Sequence, residues 1–134
     1  MLFVYGTLLF PDVLQAVLGR VPIMTPASLP GWRPAALPGR VYPGLVPATD
    51  GPGRGASGQV LTGLSAGEWA VLDAFEGEAY DRRELVLGDD RQVWTYVWCD
   101  GAAVAAHDWD PAWFARTELP TYVDGCVSWR DDLT

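Results

Sequence analysis

Ser65-Ala66-Gly67-Glu68-Trp69-Ala70-Val71-Leu72-Asp73-Ala74-Phe75-Glu76-Gly77 is a helix with both ends written into it. Ser65 and Glu68 have the S-x-x-E spacing of a capping box, in which each satisfies a backbone donor of the other. Leu64 before the cap and Trp69 after it are placed to staple the chain's entry. Trp69, Leu72 and Glu76 recur at helical spacing on one face, and Gly77 stops the run after Glu76. Two apolar, partly alternating segments follow, Tyr80–Leu87 and Val93–Trp98. Gly88-Asp89-Asp90 between them makes the pair a hairpin. A capped helix feeding an antiparallel hairpin belongs to an α+β fold, because a doubly wound fold would need repeated βαβ units.

The rest of the chain supports that class. Leu2–Tyr5 is a short apolar strand stopped by Gly6. Pro11–Leu18 is a short amphipathic helix with proline at its first position, Gly19 just past its end, and Val13, Leu14, Val17 and Leu18 on one stripe. Residues 22–58 carry so many Pro and Gly that helix is excluded. Short strands are expected at Ala27–Leu29, Trp32–Ala36 and Leu45–Ala48, with a mobile tip at Asp50–Gly55 and another strand at Gly58–Gly63. Asp110 and Pro111 open a helix running to about Thr117, as N-cap and first helical residue. The tail Pro120–Thr134 carries no assignment and is expected to pack across the sheet through Tyr122, Val123 and Trp129. Five to seven strands and two or three short helices make an α+β fold with a curved or barrel-like sheet, a single domain over residues 1–134.

Composition excludes several kinds of chemistry. Among 134 residues, 49% are hydrophobic and 19% charged, which describes a folded chain large enough to bury a core. Seventeen acids face nine bases, for a net charge of −8. All nine bases are arginine and only Arg82-Arg83 are adjacent, so no basic stripe tracks a phosphate backbone. The lack of lysine removes P-loop and Schiff-base chemistry. Lysine and asparagine are missing and Ile23 is the lone isoleucine; these three share A/T-rich codons, so the bias is read as codon usage. One histidine, His107, and two cysteines, Cys99 and Cys126, without a C-x-x-C spacing leave no metal cage. The cysteines read as reduced thiols, with a single disulfide as the other reading. The apolar start Met1–Gly6 reads as too short for a signal peptide and lacks a charged n-region, and no apolar run reaches about 18 residues. The chain reads as cytoplasmic, away from membranes and nucleic acid.

Glu76 stands out among the acids. It shares a face with Trp69 and Leu72 and lies at a helix C-terminus, where the macrodipole opposes negative charge. Burial and dipole together raise a carboxylate's pKa and poise it as a general base. The other reading is a frayed last turn, with Glu76 in solvent beside Glu78. Tyr5-Gly6-Thr7-Leu8 is a strand end followed by a Gly turn, where glycine allows positive φ or close approach. Backbone N–H groups of such a turn can hold a carboxylate or an oxyanion, although strand–Gly–turn is also a common structural device. His107-Asp108 lacks a nucleophile partner, and Ala102–Trp109 reads as an exposed loop. Trp94, Tyr96 and Trp98 alternate along one strand face and read as sheet core rather than a base-stacking platform.

Five of these segments resemble, in order, the γ-glutamylcyclotransferase-like (AIG2-like) family. Phe3-Val4-Tyr5-Gly6-Thr7-Leu8 resembles its Y-G-[ST]-L signature, and Tyr42-Pro43-Gly44-Leu45-Val46 its Y-P-x-L-V segment. Gly58-Gln59-Val60-Leu61 is similar to its G-x-V-[YF] strand, with Leu61 in the aromatic place. Leu72–Gly77 followed by Tyr80-Asp81-Arg82 resembles its L-D-x-F-E-G…Y-x-R block, and Thr95-Tyr96-Val97 a later strand with an inward tyrosine. The resemblance runs from residue 3 to about 98 and is loose beyond 100. It implies a small mixed β-barrel flanked by short helices. It also implies cyclisation of a γ-glutamyl group to 5-oxoproline with release of the attached amine. In that reading Glu76 is the catalytic acid/base. Tyr5, Gly6, Thr7 and Leu8 cradle the substrate, Tyr96 contacts it, and no metal or cofactor takes part. The partner is a small γ-glutamyl molecule and the protein a monomer or weak homodimer. Local positive potential comes from the loop amides or an arginine such as Arg82. A non-catalytic ligand- or protein-binding module on the same fold, or an enzyme that strips a γ-glutamyl protecting group, are the alternatives. The leaving amine is left to residues 30–56 and the tail after 100.

Overall fold

In the computed structural model, residues 1–49, 53–99 and 104–133 are described. The first half of the expected tip at Asp50–Gly55 and the start of the 102–109 loop lie outside them. The chain forms a 7-stranded mixed sheet from β1 (Leu2–Val4), β2 (Ile23–Pro30), β3 (Trp32–Ala36), β4 (Pro43–Pro47), β5 (Gly55–Thr62), β6 (Tyr80–Val86) and β7 (Gln92–Trp98). The order is β2-β5-β1-β7-β4-β3, with β6 on β7. The α+β architecture is as the sequence implies.

The sheet curls without closing. Phe3, Leu29, Leu45, Val60, Val93 and Val97, from β1, β2, β4, β5 and β7, share one core with Tyr5 and Leu87, with Trp32 of β3 and Leu85 of β6 packed on it, so the sheet wraps around it. Its terminal strands β2 and β3 do not pair with each other, and the barrel expectation is corrected to an open, curved sheet. Pro26 and Pro30 on the β2 edge cannot donate to a ladder, which suits an edge strand.

Connectivity around β7 decides where a ligand could sit. β6 pairs with β7 along its whole length, from Tyr80 opposite Trp98 to Val86 opposite Gln92. Both parallel neighbours must therefore share the other edge. β1 takes its start, Leu2 opposite Trp94, and β4 its end, Leu45 opposite Val97. The two strands part where β1 ends and β4 begins.

Helices cover the outer face. α1 (Pro11–Leu18) and α2 (Ala66–Glu76) follow the expected bounds, and α3 (Pro111–Thr117) is capped by Asp110, whose carboxylate accepts from the Ala112 and Trp113 N–H groups at 3.0 and 3.3 Å. The tail is a further helix, α4 (Leu119–Leu133). It packs on α1 and α2 rather than across the sheet. Arg130 Nε donates to the Val17 carbonyl at 3.1 Å, and Trp129 meets Phe75 edge to face at 5.2 Å. Leu2, Val4, Leu14, Val17, Leu61 and Leu72 form the core between sheet and helices. None of the helices among the described residues is long and apolar enough to cross a membrane.

The segment 104–109 is pinned rather than loose. Asp108 bridges Arg33 and Arg54 at 3.0 and 2.9 Å, and Trp109 is buried with its Nε1–H donating to the Val41 carbonyl. Trp94 is an exception to the aromatic sheet core. It is 38% exposed and covered by the Arg82 guanidinium at 5.3 Å. Cys99 and Cys126 are free thiols.

The capping box of α2 is complete. Glu68 N–H donates to Ser65 Oγ at 3.1 Å and Ser65 N–H to Glu68 Oε1 at 3.0 Å. Arg20, just past α1, adds a two-pronged contact to the same carboxylate at 2.7 Å. Together they pull the Glu68 pKa down to about 2. Ser65→Ala should cost about 1 kcal/mol and lower the thermal midpoint by roughly 3–6 °C, measured by calorimetry at pH 7. An unchanged midpoint would show that Arg20 alone anchors this helix end.

Candidate functional site

The gap between β1 and β4 opens into a cavity of about 180 Å³. That is below the roughly 300–1,000 Å³ of drug-sized sites and suits a molecule of amino-acid size. It is lined by Phe3 and Val4 of β1 and Tyr5–Leu8 after it, Tyr42 and Pro43 entering β4, Phe75 and Glu76 ending α2, Ala79 and Tyr80 leading into β6, Tyr96 of β7, and Tyr122 on α4.

Gly6 belongs here because of space. Its φ is −123°, so no left-handed conformation is needed, but a Cβ would come within 2.8 Å of Pro43 Cγ. Close approach, rather than positive φ, is therefore what requires glycine. Gly44 is required for the same reason, since a Cβ there would lie 2.7 Å from Trp98 Cγ. After Gly6 the chain makes a single 3-10 turn, Thr7–Leu9, in which Leu9 and Phe10 N–H groups donate to the Gly6 and Thr7 carbonyls. The Thr7 and Leu8 N–H groups begin that turn and have no partner within it, as at any helix start.

Tyr5 ties the three strands together. Its phenol donates to the Tyr96 carbonyl of β7 at 2.6 Å and accepts from the Leu45 backbone of β4. Tyr80 makes a parallel tie, donating to the Pro43 carbonyl at 2.6 Å while its ring packs edge to face on Trp98 at 5.2 Å.

Glu76 faces the cavity as the last residue of α2. Among the described residues no hydrogen-bond or ion-pair partner reaches its carboxylate. Loss of hydration raises its pKa from 4.5 to about 8. The Tyr5, Tyr80, Tyr96 and Tyr122 phenols surround it, and each is pushed upward first by its own burial and further by the Glu76 charge. The frayed-turn reading of Glu76 is thus set aside: the side chain is half-buried in a ring of phenols, with no cation among the lining residues.

Two expectations need adjustment. Tyr96 lines the cavity, but its phenol donates to Asp73 Oδ1 at 2.8 Å, so only its oxygen and ring remain to meet a ligand. Arg82 does not line the cavity. Its guanidinium stacks on Trp69 at 4.7 Å and reaches Asp73 at 3.5 Å. Positive potential inside the site is left to backbone and hydroxyl protons.

Tyr42, Tyr80 and Tyr122 were not singled out as site residues in the sequence. Tyr42 and Tyr80 sat inside recognised segments, but only the pairing of strands shows that they face Glu76. Tyr122 had a usable signal. Leu119, Tyr122, Val123, Cys126 and Trp129 recur at helical spacing and all pack on the helix-side core. Pro120 and Gly125 mask that stripe.

Comparison with known proteins follows the same residues. Residues 2–111 match the family described as gamma-glutamyl cyclotransferase, AIG2-like. AIG2-like protein C of Arabidopsis thaliana is 45% identical over 102 residues, covering 72% of this chain and 58% of that protein. AIG2-like protein B of the same plant is 33% identical over 129 residues, covering 92% and 73%. The chain therefore spans less than two thirds of the former relative's length. Two solution structures of Arabidopsis thaliana proteins share the fold. One has a TM-score of 0.67 at 33% identity, covering 92% of this chain and 85% of that one. The other has 0.65 at 28%, covering 98% and 80%.

A raised carboxylate pKa is also a stability term. Unfolded Glu76 gives up its proton near pH 4.5 and the folded group near 8, so the native state holds the extra proton between them. Stability then falls as pH rises through that window. Wild type should lose on the order of 2–4 kcal/mol between pH 5 and 8 from this group. Glu76→Gln should match wild type at pH 5 and be the more stable protein at pH 8, by urea denaturation. Parallel profiles would mean that Glu76 is solvated.

Proposed function

Since the chain belongs to the gamma-glutamyl cyclotransferase, AIG2-like family, we propose that it cyclises the γ-glutamyl group of a small γ-glutamyl amine or amide to 5-oxoproline and releases the amine. The observation that carries this reading is Glu76, an unpaired carboxylate of raised pKa in a cavity bounded by phenols and the Tyr5–Leu8 turn.

The substrate's α-ammonium cannot attack. It meets the one charged group of the cavity, Glu76, whose carboxylate takes a proton and frees the amine. The nitrogen then attacks the γ-carbonyl carbon, forming the lactam C–N bond. The carbonyl electrons move to oxygen, where the Thr7 and Leu8 N–H groups are within the same turn to meet negative charge. Collapse breaks the bond to the leaving nitrogen. Of the three protons on the α-nitrogen, one stays on the lactam and two end on the departing amine, carried there by Glu76. A folded substrate holds nucleophile and carbonyl adjacent, an advantage no free pair in solution has. A pKa near 8 suits both halves of the shuttle: basic enough to take a proton, acidic enough to return it.

Purified protein offered γ-glutamyl amines, γ-glutamyl dipeptides and glutathione should release 5-oxoproline from at least one. Glu76→Gln should lower that rate by about 10²–10⁴-fold with the fold intact by circular dichroism. The wild-type kcat/KM should rise with pH through an apparent pKa near 8, since Glu76 must be ionised in the free enzyme. Full activity in the variant would sink the mechanism. Ligand binding without turnover by the wild type would mark a non-catalytic module instead.

A further inference from the structure

Tyr122 is the cavity's contribution from outside the matched family region, which ends at residue 111. It sits on α4, and its phenol oxygen lies 3.2 Å from Thr7 Oγ1, where either atom is able to donate. One hydrogen bond between two hydroxyls uses one proton and leaves the other. Neither hydroxyl has a further partner among the described residues, and both residues line the cavity. One O–H donor is therefore left over on two residues that line the cavity.

The phenol is the more acidic of the two hydroxyls and so the stronger donor toward an anion. Thr7 then donates to the Tyr122 oxygen and Tyr122 offers its own proton inward. The ring is held for that purpose. It packs edge to face on Phe114 at 5.3 Å, and Phe114, fully buried, is wedged between Phe10 and Trp109 at 5.3 Å from each.

A γ-glutamyl group has two charged ends. Glu76 meets its ammonium, and the lining residues include no arginine for its carboxylate. We propose that the Tyr122 phenol, oriented by Thr7, binds the substrate α-carboxylate, next to the Thr7 and Leu8 amides that meet the γ-carbonyl oxygen. This makes α4 part of the substrate site and restricts the cavity to ligands with that carboxylate. It rests on the γ-glutamyl reading above for the identity of the anion.

Equilibrium binding of two probes separates the two ideas without turnover. 5-Oxoproline carries the carboxylate; 2-pyrrolidinone is the same ring without it. Wild type should bind 5-oxoproline at least tenfold more tightly than 2-pyrrolidinone by calorimetry. Tyr122→Phe, which keeps the ring on Phe114, should weaken 5-oxoproline binding by roughly tenfold to a hundredfold and leave 2-pyrrolidinone unchanged. Thr7→Val should weaken 5-oxoproline in the same direction by a smaller factor. In turnover, Tyr122→Phe should raise KM far more than it lowers kcat. Equal loss for both probes would mean that Tyr122 only shapes the wall, and an unchanged 5-oxoproline affinity would likewise overturn the assignment. Tyr122-dependent carboxylate binding in a protein that releases no 5-oxoproline would leave this site standing and the cyclisation reading refuted.

Discussion

One strand edge is asked to serve two neighbours. β6 occupies all of one side of β7, so β1 and β4, both parallel to it, divide the other. Parallel strands at normal spacing cannot occupy the same stretch of edge, so they splay where one ends and the next begins. The splay exposes backbone groups that a continuous ladder would have paired. Tyr5 and Tyr80 satisfy them with phenols, to Tyr96 and Pro43 carbonyls. What results is a cavity inside the domain, floored by backbone and walled by aromatic rings. Gly6 lets the two strands approach as closely as Pro43 allows, and Gly44 lets Trp98 pack behind them.

Into that cavity α2 delivers a carboxylate, and among the described residues nothing neutralises it. A structural role for Glu76 would have come with a partner, as Glu68 shows at the other end of the same helix, where Ser65 and Arg20 hold an ionised carboxylate at a pKa of about 2. The two glutamates lie on one helix, with pKa values pushed in opposite directions by contact and by its lack. An unpaired, dehydrated acid costs stability at neutral pH, and such costs persist where binding or chemistry uses them.

Local signals were legible and long-range pairing was not. The capping box at Ser65 and Glu68, the proline start of α1 and the Asp110 cap each rest on residues within four positions, and each element has the bounds its residues imply. The split edge depends on Leu2 meeting Trp94 and Leu45 meeting Val97, pairings that no local pattern encodes. Hence Glu76 could be named from its helix face while Tyr42 and Tyr80, its companions, could not, and Tyr122 showed only as part of a helical stripe. The same blindness made Arg82 a candidate for the site. Its neighbour in sequence, Asp81, gives no hint that Trp69 of α2 lies over the guanidinium. Closure of the barrel failed as an expectation because strand count alone does not say whether the terminal strands meet.

The tail changes how the site must be understood. Without α4, the cavity would lack the Tyr122 wall and the Trp129 ring that packs on Phe75, the residue before Glu76. Tyr122 lines the cavity with Glu76, and burial is what raises the Glu76 pKa. The family match ends at residue 111, so this part of the cavity wall lies beyond it. The −8 net charge is a weaker influence on Glu76, because solvent ions screen exposed charges beyond about 10 Å. The proposed γ-glutamyl ligand carries one positive and one negative group, so an acidic surface gives it no net steering, and in that reading affinity arises inside the cavity, from Glu76 and from hydroxyl and amide protons. In the proposed reading such a site selects by the separation of two opposite charges on a small ligand, and the helix that supplies the Tyr122 wall then takes part in the selection with the glutamate.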